Sequence, residues 1–175
     1  MRRNLILMCG ISLIVAFTAN ASVKQADTEI DFLGGWSTFN FEDNGDLDLL
    51  FLSSSVGYFM TDNVQISGSL LGAWLDIEDE DLEIWGIGGK AKYHFTPEKQ
   101  YVPYVGAQIS YTNVDAEDVG DENGILWGPM FGLRYELNEY NDFYVEYQYQ
   151  MYDGDIGDII DDASMIVFGI VHRFE

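Results

Sequence analysis

From Glu29 to Phe174 the chain alternates apolar and polar positions with period two, and turn-forming residues interrupt the alternation at regular intervals. The clearest stretch runs from Ile84 to Thr112, IWGIGGKAKYHFTPEKQYVPYVGAQISYT. In its first arm Trp85, Ile87, Gly89, Ala91, Tyr93 and Phe95 share one face, and Gly86, Gly88, Lys90, Lys92 and His94 share the other. In its second arm Tyr101, Pro103, Val105, Ala107, Ile109 and Tyr111 alternate with Tyr104, Gly106, Gln108, Ser110 and Thr112. The same design predicts eight strands: Glu29–Phe41, Leu47–Phe59, Val64–Leu75, Glu83–Phe95, Tyr101–Thr112, Gly124–Leu137, Asp142–Tyr152 and Ser164–Phe174. The alternation slips at Phe39–Phe41 and Ser53–Ser55, which leaves the facing of the first two strands open. Each segment has about the 9–11 residues that a tilted strand needs to cross a hydrocarbon core.

The connections are of two kinds. Thr61–Asn63, Thr96–Gln100 and Asn138–Asn141 are short and rich in turn residues. Glu42–Asp46, Asp76–Asp81, Asn113–Asn123 and Asp153–Ala163 read as the longer loops of the opposite end. Those four connections and their flanking acids hold 20 of the 30 Asp and Glu residues and no Lys or Arg. One rim of the structure is therefore expected to be strongly negative.

The N-terminus has a different character. Arg2 and Arg3 precede an apolar run from Leu5 to Phe17, followed by Ala19-Asn20-Ala21, which is the pattern of a secretory signal cleaved after Ala21. Cleavage removes Cys9, the only cysteine, and leaves Ser22–Glu175 as one domain. The remaining basic residues are Lys24, Lys90, Lys92, Lys99, Arg134 and Arg173, so all 30 acids face six bases. That balance argues against nucleic acid or anionic lipid as a partner.

Which face meets solvent decides the class. The more polar face, with Gln65, Ser67, Ser69, Gly86, Gly88, Gln108, Ser110, Gly128, Gly132, Gln148 and Gln150, is too poor in charge for a solvated exterior. The apolar face carries aromatics near the strand ends, among them Trp36, Trp74, Trp85, Tyr93, Phe95, Tyr101, Tyr111, Trp127 and Phe174, in the arrangement of interfacial girdles. Charges inside strands fall on the non-aromatic face: Lys90, Lys92, Arg134, Glu136, Glu146 and Arg173, with Asp31 beside them. The reading is an all-β, transmembrane, eight-stranded antiparallel up-and-down β-barrel, with these six residues as a polar cluster in the lumen. Lys90 and Lys92 are expected to pair with Glu136 or Glu146.

GYFMTDNVQISG from Gly57, KYHFTPEKQYVPYVGAQISY from Lys92, FGLRYELNEYNDFYVEYQYQ from Phe131 and the closing GIVHRF from Gly169 resemble the eight-stranded outer-membrane β-barrel family that includes OmpA-, OmpX- and OmpW-type proteins. The resemblance implies a Gram-negative outer-membrane location and contact with lipid and lipopolysaccharide. It also implies assembly by machinery that reads a terminal aromatic residue, here Phe174 followed by Glu175.

The candidate chemistry is sparse. His94 and His172 have no local serine nucleophile and sit at strand ends, where an interfacial ring is ordinary, so no catalytic residue is assigned. The acids Asp76, Glu78, Asp79, Glu80, Asp81, Asp153, Asp155, Asp158, Asp161 and Asp162 are candidates for weak divalent-cation binding. A Ca²⁺-loop match from Asp153 fails, since Asp158 occupies the glycine position and Ser164 that of the bidentate Glu. The expectation is a monomeric, cofactor-free, non-enzymatic barrel with a structural or surface-interaction role through its acidic loops. A narrow channel or conduit for small hydrophobic molecules is the alternative, and a lipid-modifying enzyme the second alternative.

Overall fold

Eight antiparallel strands close into a barrel in the order β1 to β8. They are β1 (Thr28–Phe41), β2 (Gly45–Phe59), β3 (Val64–Ile77), β4 (Glu80–His94), β5 (Tyr101–Ala116), β6 (Gly120–Asn138), β7 (Asn141–Gly154) and β8 (Asp162–Phe174). The computed structural model describes residues 24–41, 45–77, 80–116, 120–155 and 162–174, so the N-terminal signal of the sequence reading lies outside the described residues.

All eight predicted strands are present, and most run further than the pattern suggested. β3 and β4 pair up to Ile77↔Glu80, and β5 and β6 up to Ala116↔Gly120. Most of the expected long connections Asp76–Asp81 and Asn113–Asn123 is therefore strand. Acidic residues mark loops only statistically, and a paired strand leaving the membrane tolerates them because both of its faces are wet. The turns at the other end keep their local chemistry. Thr61 Oγ1 accepts the Val64 N–H at 3.0 Å, and Asn138 Oδ1 accepts the N–H groups of Tyr140 and Asn141 at 3.0 Å.

The register sets the geometry. A path along the ladders from Ile30 through Val56, Gly68, Gly89, Ile109, Trp127 and Met151 reaches Asp162. The β1–β8 offset carries that path to position 40, ten residues from its start. For eight strands such a stagger requires a tilt of about 40° and a lumen that side chains fill. Each residue then climbs about 2.5 Å. The ten residues from Tyr101 to Tyr111, both exposed, span about 25 Å, the height of an outer-membrane apolar band. Trp74, Trp85, Tyr111 and Trp127 form the upper girdle, and Tyr58, Tyr93, Phe95, Tyr101 and Phe174 the lower.

Where their side chains are described, the first two strands face regularly; the slip at Phe39–Phe41 lies outside those residues. Glu29, Asp31 and Leu33 are buried and Phe32 is exposed; Ser53, Ser55, Gly57 and Phe59 point inward and Leu52, Val56 and Tyr58 outward. The apparent slip at Ser53–Ser55 arose because Ser54 interrupts the outward series with a small polar residue.

Closure is uneven. β1 meets β8 through seven residue pairs, Thr28↔Phe174 to Gly34↔Phe168, whereas the other ladders contain 11 to 16. Above the last pair, residues 35–41 of β1 pair with β2 and residues 162–167 of β8 pair with β7, but among the described residues they do not pair with each other.

Candidate functional site

Strand alternation places two chemically distinct layers in the lumen. The half nearer the short turns is charged: Glu29, Asp31, Lys90, Lys92, Arg134, Glu136, Asp142, Glu146 and Arg173 are each at most 9 % exposed. Arg134 grips Glu29 with a two-pronged fork, Nη1 to Oε1 at 3.0 Å and Nη2 to Oε2 at 2.6 Å, and its Nε donates to Asp142 Oδ2. Arg173 Nη2 donates to the same Asp142 oxygen at 3.1 Å, and Gln65 Nε2 donates to Glu29. Bidentate, charge-assisted bonds of this kind are among the strongest that side chains form, and only such geometry compensates the desolvation of both ions.

One strand-step higher, Lys92 Nζ lies 3.1 Å from Glu146 Oε2. Glu146 also accepts the Tyr104 hydroxyl at 2.8 Å and Gln148 Nε2 at 2.6 Å. The Lys92 ammonium sits over the rings of Tyr104 and Tyr144, 4.9 and 5.2 Å from their centroids. Asp31 accepts the Ser55 hydroxyl and, at 3.5 Å, that of Tyr144. Lys90 lies in the electrostatic field of Lys92, Asp31 and Glu146. Tyr104 and Tyr144 fit because glycines stand opposite them in the ladder, Gly132 and Gly169; a Cβ on either would run into the tyrosine ring.

The six residues assigned to a lumen cluster are thus all buried inside the barrel, but the pairing differs in part from the sequence reading. Lys92 takes Glu146 as partner, whereas Arg134 and Arg173 take Glu29 and Asp142, which were not counted with the cluster. Both acids lie at strand ends, where composition alone gives no sign of burial. The signal was present in their parity, since Glu29 is in phase with Asp31 and Asp142 with Glu146. Glu136 is buried, and its N–H donates to the Gln100 carbonyl at 2.9 Å.

His94 is not interfacial. Its ring is 1 % exposed inside the barrel, 5.2 Å from that of Phe59 and 5.3 Å from that of Tyr104. It shares the parity of Lys90 and Lys92, and that phase outweighs its closeness to the turn. His172 is on the outer face, with Nδ1 2.9 Å from Asn141 Oδ1 and its ring edge-on to Phe174.

The upper layer is uncharged and two-sided. On β5 and β7 an amide chain runs upward: Gln108 and Gln150 donate to Gln148 Oε1 at 3.3 and 2.8 Å, and the Tyr152 hydroxyl donates to Gln150 Oε1 at 2.8 Å. Thr112 is 1 % exposed, and among the described residues its Oγ1 has no partner. On β8, β1 and β2 the wall is apolar, made by Leu33 and Val167 with Phe51 and Met165 packed against them.

Above the girdle the acids sit largely on strands. Asp48, Asp76 and Asp81 are consecutive ladder partners across β2, β3 and β4, and Glu83, Asp115 and Asp121 across β4, β5 and β6. Of the cation candidates, Asp76, Glu80, Asp81, Asp153 and Asp162 are in strands and Asp155 follows β7; Glu78, Asp79, Asp158 and Asp161 lie outside the described residues. Among the described residues no three acids or histidines converge to hold a metal ion.

Comparison with known proteins agrees with this architecture. A family model described as Outer membrane protein beta-barrel domain matches residues 9–174. Neisserial surface protein A superposes with a TM-score of 0.61 at 17% identity, covering 85% of this chain and 96% of that one. The N-terminal β-barrel domain of Pseudomonas aeruginosa OprF gives 0.57 at 23%, covering 86% and 99%. The Yersinia pestis outer membrane protein Ail in a phospholipid nanodisc gives 0.55 at 12%, covering 86% and 100%. No curated protein matches the chain in sequence.

Proposed function

Since the chain belongs to the outer membrane protein beta-barrel domain family, we propose that it is a non-enzymatic envelope protein, exported by its N-terminal signal, that presents an acidic β-wall to the cell exterior. The observation that carries this reading is the placement of charge. In sequence, twenty acids and no base lie in or beside the four connections of one end, and among the described residues Asp48, Asp76, Asp81, Glu83, Asp115 and Asp121 sit on paired strands. Like charges directly opposite in a ladder destabilise it. A surface that bears them without counter-charge is suited to a partner that supplies positive charge: a basic external molecule, or divalent cations bridging to the phosphates of neighbouring lipopolysaccharide.

The lumen has a structural part in this scheme. Its ionic layer fills the narrow interior and joins opposite walls, which supports a sealed barrel over an open channel. The histidine environments support a non-enzymatic role, because the ring neighbours of His94 are Phe59 and Tyr104, and Asn141 holds His172.

The test uses the full chain in lipopolysaccharide-containing nanodiscs. Millimolar Ca²⁺ is expected to slow proteolysis above the girdle relative to chelator, and a variant with Asp76→Asn, Asp81→Asn, Glu83→Gln and Asp115→Asn is expected to lose that difference. The variant should still migrate faster unboiled than boiled, as a folded barrel does. Equal proteolysis with and without Ca²⁺, together with no retention on a polylysine surface, overturns the proposal.

A further inference from the structure

The lipid face of β1 to β4 is not evenly filled. A groove of about 510 Å³ runs across it, walled by Phe32, Leu52, Leu70, Trp74 and Trp85, all of them exposed on the outside of the barrel. Ser54 deepens it, being much smaller than its two ladder partners, Phe32 and Leu70. Gly72 stands opposite Trp85, and the Trp74 ring comes within 3.0 Å of where a Gly72 Cβ would sit, so this indole lies along the barrel wall. Trp74 is four residues above Leu70, about 10 Å at this tilt. The groove therefore climbs through the upper half of the apolar band and ends at the girdle. Its volume falls among those of small-molecule sites, about 300–1,000 Å³.

The mouth of the groove carries a charge. Glu83 lines it; it is the ladder partner of Trp74 and lies two residues, about 5 Å, above Trp85 on the same face of β4. Its ladder position on β5 is another acid, Asp115. A carboxylate beside two indoles at the level of lipid headgroups draws a cation twice, by its own charge and through the faces of the rings. A second copy of the chain cannot supply that cation. Lys90, Lys92, Arg134 and Arg173 are buried in the lumen, Lys24 and Lys99 belong to the opposite end, and a two-fold contact through this face would bring one Glu83 toward the other.

We propose that the groove binds a membrane amphiphile whose head is an ammonium group. The alkyl chain lies over Ser54 between Phe32, Leu52 and Leu70, and the ammonium meets Glu83 beside Trp74 and Trp85. This site shares Glu83 with the acidic wall but needs neither Ca²⁺ nor a basic external molecule. A change at Ser54 leaves every acid in place and so separates the two readings.

The full chain, labelled with 5-fluorotryptophan and held in dodecyl maltoside micelles, is titrated with dodecyltrimethylammonium. The micelle offers the same alkyl chain under an uncharged head, so the titration reads the head. The Trp74 and Trp85 fluorine resonances are expected to shift and saturate, while Trp127, outside the groove on β6, drifts only in proportion to the surfactant added. Dodecan-1-ol and dodecyl sulfate are each expected to bind at least tenfold more weakly. Tetramethylammonium, a head without a chain, should not saturate at the same concentrations.

Ser54→Leu fills the groove with a side chain suited to the lipid face and should weaken binding at least tenfold. Glu83→Gln should weaken it several-fold, and Glu83→Lys should reverse the order of the two ions. All three changes point away from the lumen, so the barrel is expected to stay folded, which its faster unboiled migration reports. Binding of dodecan-1-ol or dodecyl sulfate as tight as that of the ammonium, undiminished binding in Ser54→Leu, or an equal shift at Trp127 each overturns the proposal. A shift at Trp74 and Trp85 that follows protein concentration in place of added amphiphile marks a second copy in the groove and overturns it as well.

Discussion

Replacing Arg134 with leucine isolates the energetics of the charged layer. The guanidinium is 3 % exposed and donates to two carboxylates, Glu29 and Asp142. Its removal leaves Asp142 with Arg173 and leaves Glu29 with the Gln65 amide and the more distant charge of Arg173, its ladder partner. Breaking a buried ion pair from one side costs about 3–5 kcal/mol, because the stranded charge keeps its desolvation penalty. The expected loss for Arg134→Leu is therefore about 3–5 kcal/mol. Adding Glu29→Gln removes the stranded charge, and since a buried pair replaced as a unit is often nearly neutral, the double variant should lie within about 2 kcal/mol of the parent. The assay is equilibrium urea unfolding in phosphatidylcholine vesicles, followed by the fluorescence of Trp74, Trp85 and Trp127 on the lipid face. An Arg134→Leu variant within about 1 kcal/mol of the parent, or no recovery in the double variant, would refute the argument that Arg134 is the chief counter-charge of Glu29.

Further outcomes follow from other parts of the barrel. Gly169→Ala pushes a methyl into the Tyr144 ring and should cost about 1–3 kcal/mol, whereas Gly35→Ala, with open space at its Cβ, should change unfolding by less than about 0.5 kcal/mol. Asp76 has an acid as ladder partner on either side, Asp48 and Asp81, and Asp76→Asn should stabilise by a few tenths of a kcal/mol at low salt, a gain that vanishes near 0.5 M NaCl. In planar bilayers the parent should show no stable unitary current at 100 mV, because the ionic layer fills the lumen; steady single-channel steps would refute the sealed reading.

Much of the fold was legible because a membrane barrel leaves few choices. Each strand must alternate, so one secure stretch, Ile84–Thr112, fixes a design that the other strands repeat. Strand ends were harder. Acid-rich segments such as Asp76–Asp81 resemble loops in composition, and nothing local states that Ile77 pairs with Glu80. The lumen residues were readable from parity, yet their partners were not. Pairing across a lumen depends on stagger, and only the closed register shows that Arg134 on β6 reaches Glu29 on β1, 105 positions away. His94 shows the same limit from the other side: its closeness to a turn suggests exposure, while its phase places it inside.

That contact between Arg134 and Glu29 bears on how the cylinder comes together. Joining β1 to β8 brings the two ends of the domain into register, the most distant ladder in sequence and the shortest in length, with seven pairs to offset its loss of chain entropy. Glu29 reaches from β1 to β6, and Asp31 from β1 to Tyr144 on β7. Both acids lie within the seven-pair segment, so these bonds tether the first strand to the far wall at the level where the ladder is complete. On this account barrel closure begins at the lower end. Variants of Glu29 should then slow the appearance of the folded form more than they speed its loss, since the bond they remove is already formed when the ends meet.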